Sequence, residues 1–327
     1  MMQLGVSHQT PESLTKDRLK YFMSMGVETV EVRMHSQNAS LDEIMNVKNK
    51  VEGAGLALHE ILLTDLHDSE QITLGGPHRE EKIAIFKKFL INLGKAGVRH
   101  TTYAWRTGGA AYETHRAETR GCETRRFELD AALSLPNEYE RTYSDEDMWR
   151  TYEAFVKEVL PIAKEADVRL QLHPNDPPVT NRGVARIFRS VEAFRRGMAI
   201  GGDSPYNGAL FCAGTFGQMA GPNGRGENIP SAIREFGSKG LIHLVHLRNV
   251  DRCLPVFNET FPDNGWLDFT EIAEALADIN FEGVIVPDHV PETVDGMSGE
   301  AYIFGYLRAL IQFAERRKAE IKKSMGD

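Results

Sequence analysis

The chain contains the stretch Leu241-Ile-His-Leu-Val-His-Leu-Arg248, a short and mostly apolar run with polar residues toward its C-terminal end. A run of this length and composition predicts a buried β-strand. Similar runs recur every few tens of residues, and amphipathic helical stretches occupy most of the gaps between them. This alternation predicts βα units arranged around a parallel sheet.

Eight such units can be counted along the chain. The predicted strands are Met2–Ser7, Glu28–Met34, Leu56–Leu63, Arg99–Trp105, Val168–His173, Met198–Gly202, Leu241–Arg248 and Gly283–Pro287. The predicted helices are Glu12–Met25, one opened by the capping box Ser40-Leu-Asp-Glu43, Arg79–Leu93, Asp147–Glu165, Gly183–Phe194, Ile229–Phe236, Phe269–Leu276 and Gly299–Arg317. No glycine-rich phosphate-binding turn follows the first strand, so we predict an α/β fold of the (β/α)8 TIM-barrel type. An open doubly wound sheet is the alternative.

We expect one barrel domain over residues 1–327, with a long irregular loop at about 107–143. This loop follows the fourth strand and would therefore lie at the C-terminal face of the barrel. It carries Arg116, Arg120, Arg125 and Arg126 among many acidic residues. It is either a solvated insertion or a segment that closes over an acidic substrate.

Composition and charge favour a small-molecule partner. The 327 residues carry a formal net charge of −9, which gives no electrostatic reason to bind nucleic acid or acidic lipid. No apolar run approaches the roughly 20 residues that span a membrane, so we expect a cytoplasmic protein with no membrane partner. The three cysteines, Cys122, Cys212 and Cys253, make a poor disulfide framework. We also expect a homo-oligomer.

Metal-capable side chains recur at the predicted C-terminal strand ends. His173 ends the fifth strand, Cys212 follows the sixth, His243 and His246 lie in the seventh, and Asp288 follows the eighth. Any one of them alone would more often be structural, but a barrel brings these strand ends to one ring around a cavity. We therefore predict a shared divalent metal site, with a ligand set that suits Zn²⁺, Fe²⁺, Co²⁺ or Mn²⁺.

Strand alternation distinguishes the two histidines of the seventh strand. His243 and His246 are three residues apart, so only one of them faces the barrel interior along a regular strand. His246 lies nearer the C-terminal end and is the better ligand, which leaves His243 to pack against the helix layer. Arg248 shares the parity of His246 and either binds a substrate carboxylate or lies at the solvated rim.

Several of these segments together resemble the mannonate dehydratase family. They are His59-Glu60, Ile72-Thr-Leu-Gly75 with Arg79, Asn92–Gly97, Met148-Trp149 through Leu160-Pro161, His173-Pro-Asn-Asp-Pro-Pro178, Asp203–Gly208, Phe211-Cys-Ala-Gly214, Arg234–Gly237, Ile242–Arg248 and Pro287-Asp-His289. The resemblance implies a xylose-isomerase-like barrel that converts D-mannonate into 2-keto-3-deoxy-D-gluconate with a divalent metal. It also implies His173, Cys212, His246 and Asp288 as metal ligands and Mn²⁺ as the ion.

Departures from the family pattern fall on residues expected to contact substrate. His59, Arg106 and Asn175 are the predicted substrate-binding residues, and Asn175 stands where the family typically has Asp. Arg106 matches the arginine of a family Trp-x-Arg-Thr segment, but here the sequence that follows is unrelated. Tyr302 is the match to a tyrosine found near the family's site. A changed substrate is therefore an open alternative.

Dehydration of an aldonic acid needs a base, a cation for the enediolate and an acid for the departing hydroxyl. Tyr302, His289 and Asp288 are the candidates for proton transfer, with Tyr302 or His289 preferred, and Arg248 would help to hold the carboxylate. The alternative function is a metal-dependent sugar isomerase or epimerase on the same barrel. A catalytically inactive sugar-binding protein is a third hypothesis, and Cys212 as a covalent nucleophile is a weaker one.

Overall fold

The computed structural model describes residues 1–107, 113–324 and 326, and it forms a closed barrel of eight parallel strands. The barrel strands are β1 Gln3–Gln9, β2 Thr29–Met34, β3 Ala57–Leu63, β4 His100–Ala104, β7 Arg169–His173, β8 Asn207–Cys212, β9 Ile242–Leu247 and β12 Val284–Pro287. Their order around the barrel is β1-β12-β9-β8-β7-β4-β3-β2. The predicted (β/α)8 barrel is thus confirmed, and the alternative of an open sheet is wrong.

Helices follow most of the barrel strands and cover the outside of the barrel. They are α1 Lys16–Ser24, α2 Leu41–Glu52, α3 Glu70–Thr73, α4 Arg79–Ala96, α5 Leu129–Leu133, α6 Asp145–Ala166, α7 Val191–Ile200, α8 Ala213–Gln218, α9 Ile229–Ser238, α10 Phe269–Asp278 and α11 Met297–Ser324. The capping box at Ser40 is present, because the Ser40 side chain accepts from the Glu43 backbone and the Glu43 carboxylate accepts in return. In the described part of the chain, no helix is both long enough and apolar enough to span a membrane.

The sixth predicted strand, Met198–Gly202, is wrong. Met198 belongs to α7, where Val191, Phe194 and Met198 form one buried helical stripe. The barrel strand is the next segment, β8, which is buried along its whole length and ends at Cys212. A short apolar run does not by itself distinguish a buried helix face from a strand.

The helix predicted at 183–194 is also misplaced, because α7 begins at Val191 and not at Gly183. Ser190 provides the N-cap, and its side chain accepts a hydrogen bond from the Ala193 backbone. Residues 183–189 precede this cap without helical structure.

The segment predicted as an irregular loop at 107–143 contains two strands and a short helix, and its residues 108–112 lie outside the described part. The strands are β5 His115–Thr119 and β6 Cys122–Glu128, which form an antiparallel hairpin. β6 also pairs with β11 Val256–Thr260, and β11 pairs with β10 Asn249–Val250. Phe127 stacks on Phe257 within this four-stranded sheet. The segment therefore forms part of a second sheet beside the barrel.

Candidate active site

A cavity of about 480 Å³ opens at the C-terminal ends of the barrel strands. Strand ends on several sides of the barrel contribute to it, and the β6 hairpin and α11 add residues at its rim. The polar side chains that line it include His8, Glu31, Arg33, Arg106, Arg125, His173, Asp176, His246, Asp288, His289 and Glu300. This is the face at which barrel enzymes place their chemistry.

Three of the four predicted ligands form a compact group at the base of this cavity. One ligand atom each from His173, Cys212 and His246 lies within 4.8 Å of the others. Asp288 joins them, because the Cys212 thiol donates to Asp288 Oδ2 at 3.4 Å and His246 Nδ1 lies 3.8 Å from Asp288 Oδ1. The structure therefore brings together the four side chains that the sequence placed at four strand ends.

The chemistry of this group fits a divalent cation. His246 is buried, and neither of its ring nitrogens has a hydrogen-bond partner among the described residues. His173 Nδ1 lies 2.6 Å from the Pro174 carbonyl oxygen, which orients the ring and leaves Nε2 for a ligand. Burial lowers the pKa of His173 to about 4 and that of His246 to about 3, so both imidazoles are neutral and able to coordinate.

The Cys212 thiol and the Asp288 carboxyl differ in charge state. Burial, reinforced by Asp288, raises the pKa of the Cys212 thiol. For Asp288, burial is outweighed by His289 and Arg248, which hold the pKa of its carboxyl well below the usual range. A bound cation would favour the thiolate, so Cys212 is suited to releasing its proton when a metal binds.

Arg248 is fully buried and anchors the carboxylates around the site. Its Nη2 donates to Asp176 Oδ2 at 2.7 Å, its Nη1 donates to Glu259 Oε1 at 3.0 Å, and Asp288 Oδ2 lies 3.7 Å away. These acids hold the pKa of Arg248 well above its ordinary value although burial opposes the charge. The Arg248 side chain does not line the cavity. It therefore neither contacts a substrate carboxylate directly nor lies at the solvated rim, which were the two positions expected from the sequence.

His289 is the titratable group best placed beside the predicted ligands. Its Nδ1 lies 2.8 Å from Glu259 Oε1, and its Nε2 lies 3.6 Å from Asp288 Oδ1. Nη1 of Arg125, from β6, lies 3.0 Å from Nδ1 and 3.1 Å from Nε2, and Arg248 Nη1 also contacts Nδ1. A histidine that faces a buried carboxylate on one side and a cavity on the other has the arrangement of a proton-transfer group.

Tyr302 is not brought to the cavity. Its ring is 41% exposed and packs edge-on against Phe261, and its hydroxyl accepts a hydrogen bond from Arg120 Nη1 at 3.5 Å. The residues of α11 that line the cavity are Glu300 and Phe304, on either side of Tyr302 in sequence. The expected catalytic tyrosine therefore lies on a different face of α11.

Two of the predicted substrate-binding residues lie near the site, but only one faces the cavity. Arg106 lines the wall, with its Nη2 at 3.3 Å from Asp68 Oδ2. Asn175 is fully buried, donates to the Trp105 carbonyl oxygen at 3.0 Å and accepts from the Phe188 backbone at 2.8 Å. Asn175 thus joins two loop segments and is not part of the cavity wall.

His59 lies at the opposite end of the barrel, which corrects its assignment to substrate. It is near the N-terminal end of β3, stacked on His100 with ring centroids 4.5 Å apart. The His100 ring in turn lies 6.1 Å from that of His243. These three histidines line a second cavity, so His243 packs at the N-terminal end of the barrel and not against the helix layer as predicted.

Sequence reasoning gave no role to several groups that line or support the main cavity. They are His8 at the end of β1, Glu31 and Arg33 on β2, Asp176 after β7, and Glu259 on β11. Asp176 stands inside the sequence motif that begins at His173, but its partner Arg248 is far away in the chain. The sequence-based prediction of site residues named none on the first two strands.

Sequence comparisons identify a family for this chain. The model of the D-mannonate dehydratase (UxuA) family matches residues 18–134 and 121–309. A mannonate dehydratase of Oceanobacillus iheyensis is 32% identical over 304 residues, which cover 82% of this chain and 82% of that protein. The mannonate dehydratase of Thermotoga maritima is 34% identical over 284 residues, with coverage of 76% and 77%.

Solved structures support the same fold. The mannonate dehydratase of Streptococcus suis serotype 2 superimposes with a TM-score of 0.83 at 23% identity, covering 97% of this chain and 95% of that one. A D-psicose 3-epimerase from Clostridium cellulolyticum H10 gives 0.58 at 19% identity, with coverage of 99% and 98%. The family match and the relatives above 30% identity show that this chain belongs to the mannonate dehydratase family, a family of hydro-lyases, on a xylose-isomerase-like barrel.

Proposed function

We propose that this protein removes water from D-mannonate to give 2-keto-3-deoxy-D-gluconate in the cavity at the C-terminal strand ends. The observation that carries the proposal is the convergence of four metal-capable side chains beside His289, which is paired with a buried carboxylate. An elimination next to a carboxylate requires a held anion and a proton-transfer group within reach of one another.

The proposal includes a divalent cation held by His173, Cys212, His246 and Asp288. Mn²⁺ is the first choice, and Co²⁺, Fe²⁺ and Zn²⁺ also suit two imidazoles, a thiolate and a carboxylate. When bound, the cation would supply Lewis-acid stabilisation of the negative charge that develops on the substrate's carboxylate as the α-proton leaves.

His289 carries the proton in this proposal. Because Nδ1 lies 2.8 Å from Glu259 Oε1, we assign to Nε2, which lies 3.1 Å from the cavity-lining Arg125 Nη1, the removal of the proton from the carbon next to the carboxylate. Glu259 then stabilises the imidazolium, which is the acid available for the hydroxyl that departs from the neighbouring carbon. The proton and the departing hydroxide leave together as water, so one histidine completes the elimination. The enol that remains becomes the 2-keto-3-deoxy acid when the proton of its C2 hydroxyl is lost and carbon 3 gains one.

Arginines on the wall suit an anionic substrate. Arg106 and Arg125 both line the cavity, and Arg125 reaches it from the β6 hairpin. Arg248 stays behind the wall, where it orients Asp176, Glu259 and Asp288. Its contribution to catalysis is therefore one of positioning.

The decisive experiment is to identify the product. Metal-loaded protein and D-mannonate should yield a 2-keto-3-deoxy acid, which is detected with thiobarbiturate after periodate treatment. The alternative function, isomerisation or epimerisation, gives a sugar or sugar acid that keeps every hydroxyl and does not react in this way. Turnover without the 3-deoxy product would overturn the dehydratase assignment.

Two substitutions separate the candidates for proton transfer. His289→Gln should lower kcat by at least about 100-fold, because it removes the proposed general acid–base group. Tyr302→Phe should change kcat by less than about threefold, because the tyrosine hydroxyl faces Arg120 outside the cavity. The cytoplasmic location, the homo-oligomer and the single domain over residues 1–327 stay predictions.

A further inference from the structure

One wall of the main cavity is formed by side chains that the proposed mechanism does not use. His8 from β1, and Glu31 and Arg33 from β2, lie on this wall. They are neither metal ligands nor proton-transfer groups in the proposal above. Their common feature is a dense set of hydrogen-bonding atoms on one side of the cavity.

His8 has an unusual backbone conformation. Its φ is +64°, in the left-handed region that residues with a side chain rarely adopt, and the pairing of β1 with β2 shifts register between Val6 and Gln9. Its backbone N–H donates to Glu31 Oε1 at 3.2 Å, while the side chain lines the cavity. Local strain of this type is concentrated at functional sites, where it aims a side chain at a ligand.

Glu31 is a charged carboxylate that is only 3% exposed. Burial opposes its ionisation, but Arg33 and His8 lower its pKa to about 2. Arg33 Nε donates to Glu31 Oε1 at 3.0 Å, so Oε1 receives both protein contacts. Among the described residues no hydrogen bond reaches Oε2, which leaves that atom to accept from a ligand hydroxyl.

The hydrogen-bonding groups of this wall match the hydroxylated end of an aldonic acid better than its acid end. A fixed carboxylate accepts hydrogen bonds from hydroxyls, while the remaining N–H groups of Arg33 and the His8 ring supply further polar contacts. Because Glu31 is paired with Arg33, this wall has no excess positive charge to attract the acid end of the substrate. The acid end is instead attracted by the cationic side chains Arg106 and Arg125.

We propose that Glu31, Arg33 and His8 form a subsite that binds the hydroxylated tail of the sugar acid and thereby selects six-carbon over five-carbon acids. This inference rests on the proposed function, because it takes the acid end to lie at the predicted metal ligands. The three residues position and select the substrate and take no part in proton transfer.

The test measures dissociation constants by calorimetry on metal-loaded protein. The probes are D-mannonate and D-lyxonate, a five-carbon acid with the same configuration at carbons 2 to 4. Glu31→Gln should weaken binding of D-mannonate by about tenfold or more, since a hydrogen bond to a charged group is lost. Binding of D-lyxonate should change by less than about threefold.

A matched control lies just before the same strand. Glu28 pairs with Arg308 at 2.8 Å, much as Glu31 pairs with Arg33, but it is absent from the main cavity and belongs to the N-terminal end of the barrel. Glu28→Gln should leave both dissociation constants and the metal content unchanged. The comparison separates loss of an ion pair from loss of a cavity carboxylate.

His8→Gly is a second variant, which tests the subsite even if Glu31→Gln does not fold. Glycine adopts the observed φ readily, so the variant should keep its melting temperature while its affinity for D-mannonate falls by several-fold. If either variant weakens both acids equally, or neither acid, the subsite is overturned and the proposed function is untouched. If the wild-type protein binds neither acid, both the proposed function and this inference are overturned.

Discussion

Both ends of the barrel carry clustered histidines, but the side chains around those histidines differ. At the C-terminal end, the rings of His173 and His246 lie 5.8 Å apart, next to Cys212 and Asp288. These neighbours are anionic or become so when a metal binds. The imidazoles there have neighbours that would hold a divalent cation together with them.

At the N-terminal end, three histidines face mostly one another. His59 and His100 are stacked, His243 lies next to them, and Arg169 lines the same cavity. Burial lowers the pKa of His59 to about 4, of His100 to about 2 and of His243 to about 3. Neutral imidazoles are therefore present at both ends. Glu282 lines the N-terminal cavity as well, so what distinguishes the C-terminal end is a thiol and a buried carboxylate next to the imidazoles, at the face where barrels place catalysis.

Loss of metal should have the largest effect, and the effect should be confined to the C-terminal end of the barrel. We expect EDTA to abolish activity and Mn²⁺ or Co²⁺ to restore it, because the proposed reaction needs a cation to stabilise the enediolate. Elemental analysis should find one equivalent of metal, which is lost in His246→Ala and kept in His243→Ala. Full activity of a metal-free preparation, or metal loss in both variants, would remove the distinction.

Substitution of cysteine tests the same comparison with a smaller effect. Cys212→Ser should weaken metal retention by at least about tenfold, because a soft thiolate ligand is replaced by a weaker hydroxyl. Cys122→Ser and Cys253→Ser should leave it unchanged, since neither residue belongs to the His173, Cys212 and His246 group. Equal metal content in the three variants after dialysis would contradict the assignment.

The β6 hairpin supplies a third test, confined to the C-terminal end. Arg125→Met should raise KM or lower kcat for the acid substrate by more than about tenfold, or roughly 1.4 kcal/mol, with unchanged metal content. Arg126→Met is the control, because its guanidinium bonds Glu128 and Asn258 away from the cavity. Normal kinetics in the Arg125 variant would show that the hairpin does not bind the acid substrate.

Acid sensitivity probes the N-terminal end through folding stability, with no effect expected on metal content. The folded-state pKa of His243 is lowered below its usual 6.5, so its contribution to stability is present above pH 6.5 and is lost as pH falls toward 3. His243→Gln should therefore reduce the slope of unfolding free energy against pH in this window by up to about 1.4 kcal/mol per pH unit. Urea unfolding at several pH values measures this slope, with the exposed His78→Gln as the surface control. An unchanged slope would show that His243 does not become charged on unfolding.

The sequence predicted the barrel and the four proposed ligands because both follow from strand ends. His173, Cys212, His246 and Asp288 stand at the ends of β7, β8, β9 and β12, whose order around the barrel follows from the chain. The sixth strand was misplaced, but the ligand prediction is unaffected, because Cys212 ends β8, the strand that is present instead.

The side chains that were misassigned or missed depend on details beyond strand order. Tyr302 is turned away by its angular position on α11, and one residue of helix corresponds to about 100° of rotation. Glu31 and Arg33 alternate with Val30 and Val32 along β2, and this period-two pattern of charges was an available signal for inward-facing polar residues. The pairing of β6 with β11 joins segments more than a hundred residues apart, and neither segment has a sequence pattern that specifies the other.

The pairing between β6 and β11 has a consequence for how enzymes of this shape can diversify. Two loops that follow different barrel strands share one hydrogen-bonded ladder and the stacked rings of Phe127 and Phe257. An exchange of the first loop alone for that of a relative would leave an unpaired edge and an exposed aromatic ring. Changes of specificity introduced through the Arg125 hairpin are therefore constrained to occur together with changes near residues 256–260, and loop grafting should transfer both segments as one unit.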